Sequence, residues 1–182
     1  SDEPFPFLFG HGLIIKDGAK MSKSRGNIVN PDEYIDRYGA DALRMYLMFV
    51  GPYDHGGDFK DTGMVGTYRF LERIWRLFQR QPGVTKMELK RKLHRTIKKV
   101  GEDLGKFKYN TAIAALMELA NVWEDRGAMV RDDAKVVVKL IAPIAPYAAE
   151  ELWHDLGGTG SVHVQPWPKW DEELIKEDEV TV

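Results

Sequence analysis

The segment "LKRKLHRTIKKVGEDL", residues 89–104, has a leucine, isoleucine or valine at every third or fourth position and many lysines and arginines between them. Its apolar residues are Leu89, Leu93, Ile97, Val100 and Leu104. Because this spacing brings them onto one face of an α-helix, we predict an amphipathic helix from about Lys86 to Leu104, with its basic residues largely on the exposed face.

The same period recurs in four further segments. The first runs from about Thr62 to Arg80, with the apolar stripe Met64, Tyr68, Leu71, Trp75 and Phe78. The second follows a predicted cap at Asn110 and carries Ile113, Leu116, Ala120 and Trp123. The last two run from Asp132 or Asp133 to Pro143, and from Pro146 to Gly157 and Gly158. Five amphipathic helices joined by short loops predict an antiparallel bundle and a mainly α fold.

The first 61 residues have a different texture. Phe5 to Ile15 is predicted to be a strand that leads through an Asp-Gly turn into a loop. Asn30, Pro31 and Glu33 predict the start of a helix that Gly39 ends. A second short helix begins at Asp41 and has four residues available for burial, which are Leu43, Tyr46, Leu47 and Val50.

The C-terminal stretch after Gly158 is expected to pack Trp167 and Trp170 onto the bundle and then to leave it in an acidic run. The ending "DEVTV" has a strand-like pattern, and we expect both ends of the chain to be cut from a longer polypeptide. The predicted organisation is therefore residues 1–61, a helical bundle over 62–158, and a tail over 159–182.

Composition limits the class of protein. The 182 residues are 43% hydrophobic, carry a formal net charge of −2 and include no cysteine. Disulfides and thiolate metal sites are thereby excluded, and the five histidines show no ligand spacing, so no metal site is expected. No apolar run approaches the ~20 residues of a membrane span, and the first residues do not look like a signal peptide. We expect a monomeric cytoplasmic protein.

The polar stretch "GAKMSKSRGN", Gly18 to Asn27, has two lysines three residues apart between glycines. It can be an ordinary surface loop, because lysine and serine are common in loops. It can also be a mobile phosphate-binding loop, whose ammonium groups neutralise charge that builds up during displacement at phosphorus.

A longer context favours the second interpretation. "KMSKSRGNIVNPDEYIDRYGADALRMYL", residues 20–47, resembles the second motif of class I aminoacyl-tRNA synthetases and the helical segment after it. "TIKKVGEDLGKFKYNTAIAALMELANVW", 96–123, and "IAPIAPYAAEELWHDLG", 141–157, resemble the anticodon-binding bundle of the leucyl enzymes, with the bacterial type fitting better than the archaeal. The resemblance covers essentially the whole chain. It implies that residues 1–61 are the end of a Rossmann-type catalytic domain with its stem-contact region.

The resemblance also implies residue roles. Lys20 and Lys23 contact the phosphates of ATP, which Mg²⁺ accompanies, and Lys23 stabilises the transition state in which leucyl-adenylate and pyrophosphate form. Met21 places its backbone near the adenine, and Ser22 and Ser24 fix the closed loop. The implied roles of three neighbours are support by Arg25 and Asn27 and a hinge at Gly26. The implied partners are leucine, ATP and tRNA(Leu).

The other ATP-binding string of the class, His-x-Gly-His, occurs nowhere in the 182 residues. We therefore expect that the chain alone does not activate leucine. Two alternatives stay open at this stage: a piece of a valyl, isoleucyl or methionyl enzyme, and a free-standing RNA-binding helical module that retains the loop. A purely structural bundle does not account for the loop.

Charged residues outside the loop suggest two further roles. The bases Lys90, Arg91, Arg95, Lys98 and Lys99 are expected to face outward, and Arg91, Arg95, Lys98 and Lys99 to form a narrow cationic strip. The strip is either a docking surface for the tRNA backbone or a merely solvated helix face. Asp41 and Arg44 are expected to be structural, as a helix cap and an ion-pair partner.

Overall fold

The computed structural model describes residues 4–5 and 7–176. Within them the chain forms two short strands, β1 (Ile14–Lys16) and β2 (Gly57–Phe59), and otherwise helices and loops. The α-helices are α1 (Pro31–Tyr38), α2 (Ala40–Phe49), α3 (Asp61–Phe78), α4 (Met87–Gly105), α5 (Tyr109–Arg126), α6 (Arg131–Ile141), α7 (Pro146–Asp155) and α8 (Glu172–Ile175). The predicted mainly helical fold is confirmed. The acidic, strand-like ending at 177–182 lies outside the described residues, so its prediction stays a prediction.

The two strands pair in parallel, with Ile15 opposite Asp58. β1 is much shorter than the strand predicted from Phe5. After β1 the chain reverses through Asp17 and Gly18, which both have positive φ, and Ala19 returns to pair with Lys16. The Asp-Gly turn is confirmed, because these two residue types tolerate left-handed backbone best.

The start of α1 agrees with its sequence signals. The Asn30 side chain accepts a hydrogen bond from the Asp32 N–H at 3.3 Å and donates one to the Glu33 carboxylate at 3.4 Å. Pro31 is the first helical residue, and Gly39, with φ of 84°, separates α1 from α2. A connection of three residues, 28–30, thus leads from the loop at 17–27 into two consecutive helices.

The bundle core is built from α3 to α7, with Met45 of α2 added. The stripe on α4 is confirmed, since Leu89, Leu93, Ile97 and Val100 are buried. The stripe predicted on α3 was partly wrong. Met64 is buried, but the other buried positions of α3 are Thr67, Phe70, Ile74 and Leu77, whereas Trp75 is exposed.

The start of α5 also differs from its prediction. The helix begins at Tyr109, one residue before the proposed cap Asn110, and no side chain caps it. The buried carboxylate of Asp103 instead organises the turn, accepting a hydrogen bond from the Thr111 hydroxyl at 2.6 Å. The backbone carbonyl of Asp103 accepts the N–H groups of Lys106 and Lys108.

A smaller cluster of buried residues lies beside the bundle core and consists of Ala42, Leu43, Tyr46, Phe59 and Met64; we call it the loop cluster. It packs α2 against β2 and the start of α3. The Tyr46 hydroxyl accepts the Lys60 N–H at 2.6 Å, immediately before α3. A side chain at Gly63 would lie within 2.5 Å of the Tyr46 ring, so the close approach of α3 to α2 requires a glycine there. Leu47, predicted as buried, is exposed.

The C-terminal segment packs on α4, as predicted. Trp167 lies against Gly101, and the Lys98 ammonium group lies 5.8 Å from the ring centre of Trp170. Both tryptophans keep a little over a third of their surface exposed. None of the helices in the described part of the chain is long and apolar enough to cross a membrane.

Candidate functional site

The loop at residues 17–27 is held at its base by one side chain. The Asn27 amide oxygen accepts the Ser22 N–H at 2.8 Å, and its NH₂ group lies 3.2–3.4 Å from the carbonyl oxygens of Lys16, Ala19 and Lys20. Asn27 therefore joins the chain that enters the loop to the middle of the loop. We call this group of hydrogen bonds the loop neck.

The two lysines of the loop are exposed, and neither ammonium group makes a hydrogen bond or ion pair with any residue in the described ranges 4–5 and 7–176. The backbone of Lys20 is fixed at the loop neck, whereas Lys23 begins a short 3-10 turn that ends at Arg25. Gly26 ends this turn with φ of 68°, a left-handed conformation that favours glycine. The structure thus presents two uncompensated ammonium groups on a fixed base.

The remaining loop residues orient it. Met21 is half-buried and packs against the loop cluster, so the loop is attached to α2 by a side chain as well as by its neck. The Ser22 and Ser24 hydroxyl oxygens lie 2.8 Å apart and share a hydrogen bond. The Gly18 N–H donates to the Asp58 carboxylate at 3.4 Å, which connects the start of the loop to β2. Exposed lysines, hydroxyls and backbone N–H groups together suit a polyphosphate.

The sequence did not reveal how much depends on Asn27. It gave this residue only a supporting role, and three of its four partners are backbone carbonyls, which carry no sequence signal. No group of histidine, aspartate and glutamate side chains within the described residues is arranged to hold a metal ion.

The basic face of α4 is less free than its sequence indicates. Lys90 pairs with the buried carboxylate of Asp133 on α6 at 2.5 Å, and Lys99 pairs with the buried Asp103 at 2.5 Å. Lys99 is exposed, as predicted, and Lys90 is half-buried, but the charges of both lysines are already paired with carboxylates of the bundle. Buried carboxylates need a positive partner, and the lysines of α4 are the cations within reach.

Three of the four strip residues still meet at one place. Arg95, Lys98 and Lys99 line an open groove of about 620 Å³ between α4 and α5, together with Lys92. Glu102 and Glu118 lie on the same groove, and Ile175 of α8 forms one end. Arg95 is exposed and makes no ion pair within the described ranges, whereas Lys98 lies 3.9 Å from the Glu172 carboxylate. The half-buried Arg91 does not line this groove.

His94 connects α4 to the C-terminal segment. Its Nδ1 accepts the Asp171 N–H at 2.9 Å, which requires that this nitrogen carry no proton. Partial burial lowers the pKa of His94, and the Lys90 charge lowers it further, while Asp171 and Asp133 oppose the shift. The neutral ring is thus the form that fits this contact.

Asp41 and Arg44 are structural, as predicted, but their partners are not the local ones. The Asp41 carboxylate accepts the N–H groups of Tyr147 and Ala148 at the start of α7, at 3.4 and 2.7 Å. Arg44 donates to the Pro143 carbonyl at 3.0 Å instead of pairing with an acid.

Comparison with known proteins identifies both halves. Residues 1–59 match the family "tRNA synthetases class I (I, L, M and V)", and residues 87–182 match the "anticodon-binding domain of tRNA ligase". The chain is 45% identical to the leucine–tRNA ligase of Dehalococcoides mccartyi over 99% of this chain and 24% of that protein. It is 46% identical to the leucine–tRNA ligase of Rubrobacter xylanophilus over its whole length and 23% of the relative.

A solved structure gives the same result for the fold. The crystal structure of the ternary complex of the Agrobacterium radiobacter K84 agnB2 LeuRS with tRNA and LeuAMS superposes with a TM-score of 0.85 at 33% identity. The match covers 97% of this chain and 26% of that one. The chain thus spans about a quarter of the length of these relatives. It belongs to the leucyl-tRNA synthetase family of class I aminoacyl-tRNA synthetases, and it corresponds to the end of the catalytic part and the anticodon-binding domain.

Proposed function

We propose that this chain supplies the ATP-phosphate-binding loop and part of the tRNA-binding surface of a leucine–tRNA ligase. In this assignment, residues 1–61 end the catalytic domain, 62–158 form the tRNA-binding bundle, and 159–182 lead onward. The observation that carries the proposal is the pair of exposed lysines, Lys20 and Lys23, on a loop whose base is fixed by Asn27. Such an enzyme works in the cytoplasm on leucine, ATP and tRNA(Leu).

The reaction explains why two mobile cations are needed. A leucine carboxylate oxygen attacks the α-phosphorus of ATP, a new P–O bond forms, and the bond to the β-phosphate breaks as pyrophosphate leaves. Negative charge grows on the leaving pyrophosphate in the transition state. An ammonium group placed there stabilises the transition state more than the substrates, which is the condition for catalysis. We assign this role to Lys23, and binding of the ATP phosphates to Lys20 and Lys23 with Mg²⁺ that ATP brings.

Other loop residues assist binding in this proposal. Met21 places its backbone near the adenine while its side chain stays in the loop cluster. Ser22 and Ser24, already hydrogen-bonded to each other, hold the loop in its closed form. The chain alone contains no His-x-Gly-His string, so we infer that the 182 residues by themselves do not support leucine-dependent ATP–pyrophosphate exchange.

The test of this assignment is Lys23→Ala in the complete synthetase. We expect leucine-dependent ATP–pyrophosphate exchange to fall by about two orders of magnitude or more. Lys106→Ala is the matched control, because Lys106 is also exposed and its side chain makes no hydrogen bond or ion pair with the described residues. A Lys23 variant that keeps a near-normal exchange rate would contradict the role given to Lys23.

We further propose that the strip Arg91, Arg95, Lys98 and Lys99 contacts the phosphate backbone of tRNA. The support is the groove where three of these side chains meet, with Arg95 as its exposed and unpaired cation among the described residues. Backbone contacts release counterions, so binding should weaken steeply with salt and show little preference among tRNAs. Lys99 contributes least because Asp103 already holds it.

Fluorescence anisotropy on labelled tRNA at several salt concentrations tests this surface. Changing the four strip residues to glutamine should lower affinity and reduce the salt slope by about 2 to 3. The control changes Lys60, Arg69, Arg76 and Lys86 to glutamine, which removes the same charge from other exposed positions. Equal slopes for the two variants would mean that overall charge alone attracts the RNA.

A further inference from the structure

Helix α2 lies between the bundle and the loop at residues 17–27, which we call the lysine loop. It contributes residues to the bundle core and to the loop cluster. Its residues Leu43 and Tyr46 belong to the loop cluster, against which Met21 of the loop packs. Its residue Met45 belongs to the bundle core. The orientation of the loop relative to the bundle therefore depends on how α2 is attached to each side.

On the bundle side, α2 caps another helix. The carboxylate of Asp41 is buried and accepts the Ala148 N–H at 2.7 Å and the Tyr147 N–H at 3.4 Å. Both groups belong to the first turn of α7, whose own preceding residue, Ala145, has no side chain that could cap it. A carboxylate at this position satisfies N–H groups that α7 leaves unpaired, and its charge suits the positive end of the helix.

The second attachment lies one turn along α2. Arg44 donates from Nη2 to the Pro143 carbonyl at 3.0 Å, in the connection between α6 and α7. Asp41 thus accepts hydrogen bonds from the start of α7, and Arg44 donates one to the residue that precedes this region, Pro143. Both side chains extend from α2 to the connection between α6 and α7 and the first turn of α7. The two contacts have opposite polarity, so a shift of α2 along the connection by one residue would lose both.

We propose that Asp41 and Arg44 are positioning residues that fix the bundle relative to the lysine loop, and that they serve transfer of the amino acid to tRNA more than its activation. This inference rests on the proposed function. Activation needs only small substrates beside the loop. Transfer needs a long tRNA, held in part by the bundle, to place its end at the adenylate, and an error of about 1 Å there can cost ~100-fold in rate.

The experiment measures both steps in the complete synthetase with Asp41→Ala, Asp41→Asn and Arg44→Ala. We expect Asp41→Ala to lower kcat/KM for tRNA charging by about tenfold to a hundredfold while ATP–pyrophosphate exchange stays within about twofold. Asp41→Asn keeps one acceptor oxygen and should have a smaller effect. Arg44→Ala should resemble Asp41→Asn, with a smaller loss of tRNA charging than Asp41→Ala. Variants that lower both rates in the same proportion, or that charge tRNA normally, would overturn the proposal.

The matched control is Asp133→Ala. Asp133 is another buried aspartate, but it pairs with Lys90 of α4 and makes no part of the contact between α2 and α7 described above. Its loss should lower the melting temperature without changing the ratio of charging to exchange. If Asp133→Ala changes that ratio as much as Asp41→Ala does, general loosening of the bundle explains the effect and the specific role of Asp41 is lost.

Hydrogen exchange gives a readout that does not depend on activity. In the same proteins, the amides of Tyr147 and Ala148 should exchange at least about tenfold faster in Asp41→Ala than in wild type, with the amides of α4 unchanged. Unchanged protection at these two amides would show that Asp41 does not cap α7 in solution and would overturn the proposal. A wild-type enzyme that shows the protection but no leucine-dependent exchange would instead contradict the proposed function, so the two failures are distinguishable.

Discussion

The lysine loop and the helical bundle are held together by different physical forces. In the bundle, side chains such as Leu93, Ile97 and Ile113 are 1% exposed or less. In the loop, no residue from 17 to 27 is buried, and a few hydrogen bonds around Asn27 fix its base. Burial of apolar surface is insensitive to the identity of surface residues, whereas hydrogen bonds at a water-exposed site contribute little net stability. The bundle can therefore be rigid while the loop remains able to move.

The largest effect is expected where the bundle loses buried volume. Leu93→Ala should lower the free energy of unfolding by about 2–5 kcal/mol, because a cavity forms in addition to the lost transfer energy. Urea denaturation of the chain measures it. Leu47→Ala is the control, since Leu47 is 43% exposed on α2, and we expect a loss below about 1 kcal/mol. Similar losses for the two variants would contradict the contrast between buried and exposed leucines.

The hydrophobic pattern predicted the bundle because each helix buries one stripe, and on α4 the stripe could be chosen only one way. On α3 it could not. Two adjacent stripes are apolar there, and the sequence favoured the one with Trp75. The buried one contains Phe70 and Ile74, because α2 and α5 pack on that side. Which of two apolar faces is buried depends on partners that are distant in sequence.

Caps show the same limit. The cap at Asn30 was predicted correctly because donor and acceptor lie two residues apart. Asp41 was correctly expected to cap a helix, but the helix is α7, which begins more than 100 residues later. In the loop, the motif identified Lys20 and Lys23 through a resemblance, whereas the role of Asn27 depends on backbone carbonyls. The sequence thus names the residues proposed to carry the chemistry, whereas the contacts that hold them in place could be found only from the structure.

A smaller effect is expected from breaking the loop neck. Asn27→Ala removes the amide oxygen that accepts the Ser22 N–H and the NH₂ group that donates to backbone carbonyls of the loop neck. The loop should therefore open more often, while the bundle is unaffected. Hydrogen exchange should show amides of residues 19–24 exchanging about tenfold faster, corresponding to ~1.4 kcal/mol of local stability. Global unfolding in urea should change by less than about 0.5 kcal/mol.

Asn121→Ala is the control for the neck. Asn121 accepts a hydrogen bond from Arg73 on the exposed surface of the bundle at 2.7 Å. Its loss should leave exchange in the loop unchanged. If Asn27→Ala lowers global stability as much as it loosens the loop, the loop and the bundle unfold as one unit and the contrast between them fails.

The smallest effect concerns the C-terminal segment, which combines both kinds of support. Trp167 and Trp170 pack on α4, and the Asp171 N–H donates to His94 Nδ1. The pKa of His94 is lowered in the folded protein, chiefly by burial and then by Lys90, although Asp171 and Asp133 face it as well. A lowered pKa means that His94 takes up a proton more readily when the segment is released from α4 than when it is docked. Docking is therefore strongest above the ordinary histidine pKa of ~6.5 and weakens as pH falls through the lower folded value.

Hydrogen exchange of residues 167–176 between pH 7.5 and 5, corrected for intrinsic rates, measures this. We expect protection to fall by about fivefold, the equivalent of one modest hydrogen bond, because protonated His94 can no longer accept from Asp171. His94→Gln keeps an acceptor that does not titrate, so its protection should not depend on pH in this range. A pH dependence that persists unchanged in His94→Gln would show that another titratable group causes it and would contradict the role given to His94.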